Sequence, residues 1–187
     1  MEEKKVAILI STYNGEKYLK EQIDSLLNQT YKNIEIYVRD DNSKDNTVNI
    51  IEDYIKNKNN IKLIKGENLG FVGSFFELLK NVEKADYYAY CDQDDIWMED
   101  KIQRSVEYLS ELDENKPNLY FSNSDYYDGD MNFVAHGDIK KVYTFRNSLV
   151  ECVSQGMTMC INKKARDCIV KHIPKNCLFH DWWTYMV

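Results

Sequence analysis

The stretch DYYAYCDQDDIW, residues 86–97, places three carboxylates within four positions directly after an apolar, aromatic run. The run at 86–91 is typical of a strand buried inside a sheet. A strand that ends in Asp-x-Asp-Asp presents its charges at the carboxyl edge of the sheet, where open α/β sheets bind ligands. Packed carboxylates repel one another unless a cation lies between them. The stretch therefore predicts a divalent metal shared with substrate phosphates.

The residues before this stretch alternate between strand-like and helix-like patterns. A continuous apolar run at 6–10 predicts a buried strand, and further strands are predicted at 34–38 and 61–64. Amphipathic segments follow these strands at 17–29, from about 45, and at 68–82. A further helix is predicted at 99–113, and Asn14 is expected to cap the first helix. The alternation predicts an α/β fold, a Rossmann-like and mostly parallel sheet flanked by helices. No G-x-G-x-x-G follows the first strand, so dehydrogenase-type dinucleotide binding is not expected.

The second half of the chain is less regular. Strands are predicted at 119–122 and 157–161, and helices at 145–153 and 163–172. The polar segment 125–137 is expected to form a hairpin or a loop. The chain finishes at HDWWTYMV, residues 180–187, a helix start without a C-terminal cap. We therefore expect a chain truncated at its C-terminus, a fragment of a longer protein.

Composition restricts the class of partner. The net charge of -7 argues against a nucleic-acid partner, because nucleic-acid binders carry a basic face. The 5 cysteines are odd in number and form no C-x-x-C pair, which favours reduced thiols in the cytoplasm. The chain has no signal-peptide core, and no apolar stretch reaches the roughly 20 residues of a transmembrane segment.

The order of several short motifs resembles the family 2 glycosyltransferases of the GT-A fold. These enzymes transfer a sugar from a nucleotide diphosphate with inversion, so the resemblance implies an enzyme of that kind. It implies one domain over residues 1–187, with a nucleotide-binding half at 1–115 and a smaller, mixed acceptor-side half at 116–187. The last two motifs also resemble bacterial rhamnosyltransferases of surface polysaccharides. The motifs are STYN (11–14), DDNS (40–43), NLGF (68–71), DQDD (92–95), QGMTM (155–159) and HDWW (180–183).

The resemblance implies a nucleotide-sugar donor, with UDP or dTDP as the family default. The resemblance to the rhamnosyltransferase subgroup suggests dTDP-rhamnose. From the residues, the Asp41 carboxylate can accept a pyrimidine N–H, and Tyr13 can stack on the base. Taken alone, 40–43 also fits a turn that caps the next helix, and 68–70 fits a simple loop. The implied nucleotide-binding residues are Ser11, Thr12, Tyr13, Asp41, Asn68, Gly70, Asp92 and Gln93.

The D-x-D of the family matches Asp92 and Asp94, which implies Mg²⁺ or Mn²⁺ as the cofactor. Asp94 is the expected direct ligand, and Asp92 faces the ribose or the metal through water. The cation would neutralise charge on the departing nucleotide. A solvated acidic turn is the alternative reading of the same residues.

The resemblance implies that Asp181 is the general base that deprotonates the acceptor hydroxyl. The alternative is that Asp181 caps a helix whose tryptophans are core residues. His172 and His180 are expected to be structural. The acceptor is expected to be a glycan or a lipid-linked glycan. The predicted acceptor or sugar pocket consists of Trp97, Gln155, Gly156, Trp182 and Trp183.

Two other functions remain open from the residues. A sugar nucleotidyltransferase would carry a glycine-rich, basic phosphate loop after the first strand, and residues 11–17 hold one glycine. A non-catalytic nucleotide- or glycan-binding module is the alternative if parts of the acceptor site are absent. We expect a cytoplasmic protein, peripheral at the inner face of the membrane through residues beyond Val187.

Overall fold

The computed structural model describes residues 3–137 and 143–187. Its first half alternates strand and helix four times, as the apolar runs and helical stripes predicted. The elements are β1 (Val6–Thr12), α1 (Leu19–Leu27), β2 (Ile34–Asp40), α2 (Thr47–Ile55), β3 (Ile61–Lys65), α3 (Gly70–Asn81), β4 (Tyr87–Cys91) and α4 (Lys101–Ser110).

The second half adds two strands to the same sheet and a separate hairpin. The segment 125–137 forms the hairpin, one of the two predicted outcomes, and the helix predicted at 145–153 is confined to one turn. None of the helices that the structure describes is long and apolar enough to cross a bilayer. The elements are β5 (Leu119–Phe121), β6 (Asp125–Tyr127), β7 (Phe133–His136), α5 (Phe145–Ser148), a 3-10 turn (Gly156–Thr158), β8 (Met159–Asn162), α6 (Lys163–Lys171) and α7 (His180–Met186).

Six strands form one sheet in the order β3-β2-β1-β4-β8-β5. Strand β1 runs parallel to both β2 and β4, and β3 runs parallel to β2. Strand β8 is antiparallel to its neighbours β4 and β5. The chain order therefore reverses between β1 and β4, so the loops that follow these two strands leave a crevice at the carboxyl edge.

Helices cover both faces of the sheet, and each face has its own apolar core. Val6, Ile8 and Ile10 point to the face covered by α1, α2 and α4. Ala7 and Leu9 point to the face covered by α3 and α6. Because β1 is buried on both faces, its sequence is a continuous apolar run rather than an alternating one.

Asn14 does not cap α1, contrary to the prediction. The helix begins after Tyr18, and Asn14 has a left-handed backbone with φ of 49°. Its Oδ1 accepts the backbone N–H of Lys44 at 2.8 Å, and its own N–H donates to Oγ of Ser43 at 3.0 Å. Asn14 therefore joins the loops after β1 and β2 at the carboxyl edge, where a polar residue in a left-handed turn is well tolerated.

Candidate active site

A cleft of about 200 Å³ opens at the carboxyl edge of the sheet, where the order of strands reverses between β1 and β4. Open α/β sheets bind their ligands at this position. Six of the lining residues are predicted site residues, and two aromatic residues of α3 complete the wall. The lining consists of Ser11, Tyr13, Asp41, Phe71, Phe75, Asp92, Gln93 and Asp94.

A second cavity of about 330 Å³ lies at the β5 edge of the sheet, between β5, α6 and α7. None of the predicted site residues lines this cavity. The larger cavity is therefore not the candidate active site, despite its greater volume. The smaller cleft gathers the titratable and polar groups, which is the property expected of a functional site.

Gln93 clamps the loop after β4 to the loop after β1. Its Oε1 accepts the hydroxyl of Thr12 at 2.8 Å and the backbone N–H of Tyr13 at 2.9 Å, and its Nε2 donates to the Tyr13 carbonyl at 3.4 Å. Thr12 is only 1% exposed, so it reaches the cleft through Gln93 rather than directly. Tyr13 is 45% exposed and remains accessible to a ligand.

Asp41 lies behind the other side of the cleft in a dense set of donors. Its Oδ1 accepts Nη1 of Arg39 and the backbone N–H of Leu69 at 2.9 Å. Its Oδ2 accepts the backbone N–H of Gly70 at 2.8 Å. Asn68 accepts the same N–H at 3.2 Å, and Gly70 has a positive φ of 69°, which glycine adopts without strain. The loop with Asn68 and Gly70 therefore contacts the Asp41 carboxylate, and neither Asn68 nor Gly70 lines the cleft itself.

The carboxylates at the end of β4 crowd one another. Burial raises the pKa of Asp92 to about 7, and neighbouring carboxylates add to the shift. These neighbours are Asp95, Asp94 and Asp181, in decreasing order of effect. Burial and then Asp94 raise the pKa of Asp95 to about 6, while Lys101 opposes the shift. A cation among these groups would favour their charged forms and relieve the repulsion.

The pair Asp92 and Asp94 fits a cation that is shared with a bound ligand. Among residues 3–137 and 143–187, no group of three or more His, Cys, Asp or Glu side chains is arranged to hold a metal ion by itself. Mg²⁺ usually takes one or two carboxylates and completes its shell with phosphates and waters. Asp94 is exposed in the cleft and Asp92 is half-buried, so the two can offer that number of oxygens.

Asp181 lies near the acidic cluster and belongs to the second half of the chain, on α7. Its Oδ2 accepts the backbone N–H of Gly156 at 2.9 Å, and its Oδ1 accepts the N–H of Trp182 at 2.8 Å. Burial raises the pKa of Asp181, and these backbone hydrogen bonds oppose the shift. The residue before α7 is Phe179, so Asp181 lies within the helix and is not its cap.

Trp97 packs in the core and does not line the cleft, so its predicted place in a sugar pocket gains no support from the structure. The residue is 5% exposed and packs in the core with α1 and α4. Its backbone N–H donates to Oγ of Ser25 at 3.1 Å, and the ammonium of Lys101 lies 4.8 Å from its ring centroid. The chain turns back under the sheet directly after the acidic stretch, which removes this ring from the cleft.

The other predicted pocket residues hold the second half together. The indole N–H of Trp182 donates to the carbonyl of Ser148 at 2.5 Å, and Trp183 packs against the core beneath α3 and α6. Gln155 donates from Nε2 to the hydroxyl of Tyr126 at 2.8 Å and so fixes the β6–β7 hairpin. None of Gln155, Trp182 and Trp183 lines the cleft. Their sugar-binding role remains a prediction.

Gly156 allows α7 to approach the 3-10 turn. A Cβ on Gly156 would lie 2.8 Å from Nε2 of His180, closer than side-chain atoms tolerate. His180 is 4% exposed, stacks on Phe75 at 4.1 Å, and meets the ring of Tyr90 edge-on at 4.8 Å. Burial lowers the pKa of His180 to about 3, so the ring is neutral. The structural role expected of His180 agrees with this packing.

Three residues of this region were not recognised as site residues from the sequence. Phe71 and Phe75 belong to the apolar stripe of α3. Such a stripe predicts that these rings face the core, but it does not indicate that they also line a cleft. Arg39 lies in β2, two positions before Asp41, which directly follows that strand. Residues two apart on a strand share a face, so this spacing was a signal for their contact.

The chain was compared with known families, and the model described as glycosyl transferase family 2 matches residues 7–167. The chain belongs to this family. The dTDP-rhamnosyl transferase RfbG of Shigella flexneri is 34% identical over 190 residues, which cover 94% of this chain and 63% of the relative. This chain therefore spans less than two thirds of the length of that relative.

Solved structures of the family show the same fold. The S. aureus TarS 1–349 complex with UDP-GlcNAc has a TM-score of 0.53 and 31% identity over 57% of this chain and 31% of that chain. Another structure of TarS 1–349 aligns over 97% of this chain and 54% of its own, with a TM-score of 0.73 and 20% identity. The predicted GT-A fold and the predicted family are confirmed.

Proposed function

We propose that this chain carries the active site of a metal-dependent, inverting glycosyltransferase. It would move a sugar from a UDP- or dTDP-linked donor to a hydroxyl of a growing surface polysaccharide or lipid-linked glycan. The observation that carries the proposal is the convergence of Tyr13, Asp41, Asp92 and Asp94 in one cleft at the reversal of strand order. The similarity to the dTDP-rhamnosyl transferase of Shigella flexneri favours dTDP-rhamnose as the donor.

The donor half of the mechanism follows from the cleft lining. Tyr13 offers an exposed aromatic face to the base, and Asp41 offers a carboxylate oxygen to a base N–H. Asp92 and Asp94 would hold Mg²⁺ or Mn²⁺, which supplies charge neutralisation for the departing diphosphate. Ser11 and Gln93 also line the cleft and would contact the nucleotide between its base and its diphosphate.

The acceptor half of the mechanism rests on Asp181. An inverting transfer needs one carboxylate that takes the proton of the acceptor hydroxyl while its oxygen attacks the anomeric carbon opposite the leaving group. Burial raises the pKa of Asp181 above its ordinary value, which makes it a stronger base than an exposed aspartate. The hydrogen bonds from Gly156 and Trp182 orient the carboxylate. The transition state would have oxocarbenium character.

The class of acceptor suggests where in the cell the protein works. A lipid-linked acceptor would hold the enzyme as a peripheral protein at the inner face of the membrane, in the cytoplasm. All five cysteines are free, which suits a reducing compartment. Family membership argues against the sugar nucleotidyltransferase alternative. The remaining alternative, a non-catalytic binding module, would bind the same ligands but would not transfer the sugar.

A thermal-shift panel tests the proposal. UDP, dTDP, GDP and CDP are each added with and without Mn²⁺, with Mn²⁺ alone as the control. A ligand at about 100 times its Kd stabilises the native state by about 2.7 kcal/mol. We expect a Mn²⁺-dependent shift with UDP or dTDP. No shift with any nucleotide would contradict the proposal, and binding without release of nucleotide from donor sugars would favour the binding module.

A further inference from the structure

Arg39 is a buried guanidinium that contacts the carboxylate at the back of the cleft. Its side chain is 3% exposed. Its Nη1 donates to Oδ1 of Asp41 and to Oγ of Ser74 at 3.1 Å, and its Nη2 donates to the carbonyl of Glu67 at 2.9 Å. A buried cation is stable only where it is paired and hydrogen-bonded. Arg39 does not line the cleft itself, so its effect on a ligand must pass through Asp41.

The hydrogen bonds of Asp41 leave one acceptor position for a ligand. An ionised carboxylate has about four lone-pair sites. Oδ1 accepts from Arg39 and from the N–H of Leu69, so both of its sites are used. Oδ2 accepts from the N–H of Gly70, so one of its sites is free. Asp41 is 2% exposed and lines the cleft together with Tyr13, so this free site can meet only a ligand that enters the cleft, such as a base that packs on the Tyr13 ring.

The geometry points to Arg39 as the residue that sets the base specificity of the cleft, because it leaves Asp41 a single acceptor for the imide N–H of uracil or thymine. The inference rests on the proposed nucleotide-sugar function and narrows its donor class. Cytosine has an acceptor nitrogen in place of the imide N–H, which a carboxylate repels. Guanine presents two adjacent N–H donors that match two carboxylate oxygens, and Oδ1 is already occupied.

An arginine is required for this arrangement. One planar fork joins three elements: Asp41 after β2, Glu67 in the loop after β3, and Ser74 on α3. A lysine has a single ammonium and cannot span the same partners. A Cβ at position 66 would overlap Nη2 of Arg39, so Gly66 leaves the room that the guanidinium occupies. Arg39 is thus a positioning residue that fixes both the Asp41 rotamer and the loop that donates to it.

Calorimetric titration in the presence of Mn²⁺ tests the inference with five probes: UDP, dTDP, N3-methyl-UDP, GDP and CDP. If dTDP binds more tightly than UDP, dTDP and N3-methyl-dTDP replace the UDP pair in each comparison. The methyl group replaces the imide N–H and leaves the rest of the ligand unchanged. We expect wild-type protein to bind UDP about 10- to 100-fold more tightly than N3-methyl-UDP, the value of one hydrogen bond to a charged group. CDP and GDP should bind about as weakly as the methylated probe.

The variant Arg39→Lys frees one of the two acceptor sites of Oδ1, since Leu69 keeps the other, and it removes the guanidinium contacts that hold the loop. We expect weaker UDP binding and a UDP-to-GDP affinity ratio that falls towards one. The matched control is Arg166→Lys on α6, since Arg166 is also largely buried, at 16% exposure, and donates from Nε to a backbone carbonyl at 2.8 Å. The control should keep both the affinity for UDP and the ratio. A folded Arg39→Lys protein with the wild-type ratio would overturn the inference.

Two further outcomes separate this inference from the proposed function. If the wild type binds UDP and N3-methyl-UDP equally, the inference fails and the function stands. If the wild type binds no nucleoside diphosphate, the proposed function fails and the inference fails with it. Should Arg39→Lys not fold, the double variant Arg39→Met with Asp41→Asn removes the pair without leaving an unpaired charge. We expect this variant to lose the preference for UDP, and a retained preference would overturn the inference.

Discussion

The backbone N–H of Gly156 donates to Oδ2 of Asp181 at 2.9 Å, so the candidate base is held by the turn that precedes β8. The contact is close because residue 156 has no side chain. A Cβ there would lie 2.8 Å from Nε2 of His180 and 3.3 Å from Cβ of Asp181. The position of the carboxylate therefore depends on the glycine.

We expect Gly156→Ala to push α7 away and lower kcat by about 10- to 100-fold, because a displacement near 1 Å is enough to misplace a reacting group. The affinity for UDP should stay near wild type, since Gly156 does not line the donor cleft. Steady-state kinetics and titration measure the two effects. Gly129→Ala is the matched control, because a Cβ at 129 meets open space. Wild-type kcat in Gly156→Ala would contradict the prediction.

Asp181→Asn should abolish transfer while keeping donor binding. The amide retains an acceptor oxygen for Gly156 and loses the basic carboxylate, so kcat should fall by about 10²- to 10⁴-fold. Thermal unfolding and UDP titration check that the fold and the cleft are intact. Asp167→Asn on α6 serves as the control, because Asp167 makes surface ion pairs with Lys163 and Arg166. Normal turnover in Asp181→Asn would remove the residue from catalysis.

Asp94→Asn should remove the Mn²⁺ dependence of nucleotide binding. The neutral amide is a poorer ligand for a hard cation than a carboxylate. We expect the apparent Kd of UDP with Mn²⁺ to rise at least about tenfold, the effect of about 1.4 kcal/mol, and to match the metal-free value. Asp100→Asn is the control, since Asp100 pairs with Arg104 outside the cleft. An unchanged Mn²⁺ effect in Asp94→Asn would show that Asp94 is not a ligand.

The ionised side chain of Glu35 should make the free energy of unfolding depend on pH in the acid range. Burial opposes the shift, but hydrogen bonds with Lys5, Lys62 and Tyr37 lower the pKa of Glu35 to about 2 from its ordinary 4.5. A depressed pKa contributes stability that is present above pH 4.5 and is lost as the pH falls towards 2. Because both lysines are about a third exposed, we expect a contribution of about 1–2 kcal/mol.

Urea unfolding of Glu35→Gln at pH 7 and at pH 3 measures this contribution. The variant should be less stable than wild type at pH 7, and the difference should shrink at pH 3. Glu52→Gln is the control, since the ion pair of Glu52 with Lys65 is half-exposed and should contribute little. A difference that is equal at both pH values would contradict the assignment.

Trp97 should affect stability and not donor binding. Trp97→Ala removes a buried indole from the core and should lower the free energy of unfolding by about 3–5 kcal/mol. Trp97→Phe should cost less and leave the KM for the donor unchanged. The exposed Tyr108 provides the control Tyr108→Ala, which should be nearly neutral. A specific rise in KM in Trp97→Phe would restore the sugar-pocket interpretation.

Much of the fold was predictable because the signals are local. The run at 6–10 is apolar throughout, as a strand buried on both faces must be, and the runs at 34–38 and 61–64 are apolar at all positions but Glu35, Tyr37 and Lys62; each became a parallel strand. The motifs that follow β1, β2 and β4 then had to meet at one edge. Asn14 was misread because the same polar residue suits a helix cap and a left-handed turn, and only the Lys44 and Ser43 contacts decide between them.

Trp97 and Arg39 show where local signals end. An aromatic residue after an acidic motif looks the same in sequence whether it faces a ligand or the core, and the turn of the chain after Asp95 decides the outcome. Arg39 carried a usable signal in its spacing from Asp41. Its other hydrogen-bond partners, Glu67 and Ser74, lie 28 and 35 positions away in the chain. No sequence periodicity predicts contacts at these separations.

The sequence by itself determined which segments form strands and helices and which of their faces are apolar, because these depend on periods of 2 and 3.6 residues. It also determined which residues follow each strand and so lie at the carboxyl edge. Tertiary structure alone decided which polar atoms stay free at that edge. Gln93 uses its amide on Thr12, 81 positions away, and Asp41 uses three of its acceptor sites on Arg39, Leu69 and Gly70. Hydrogen-bonding capacity is finite, so distant partners determine what remains for a ligand.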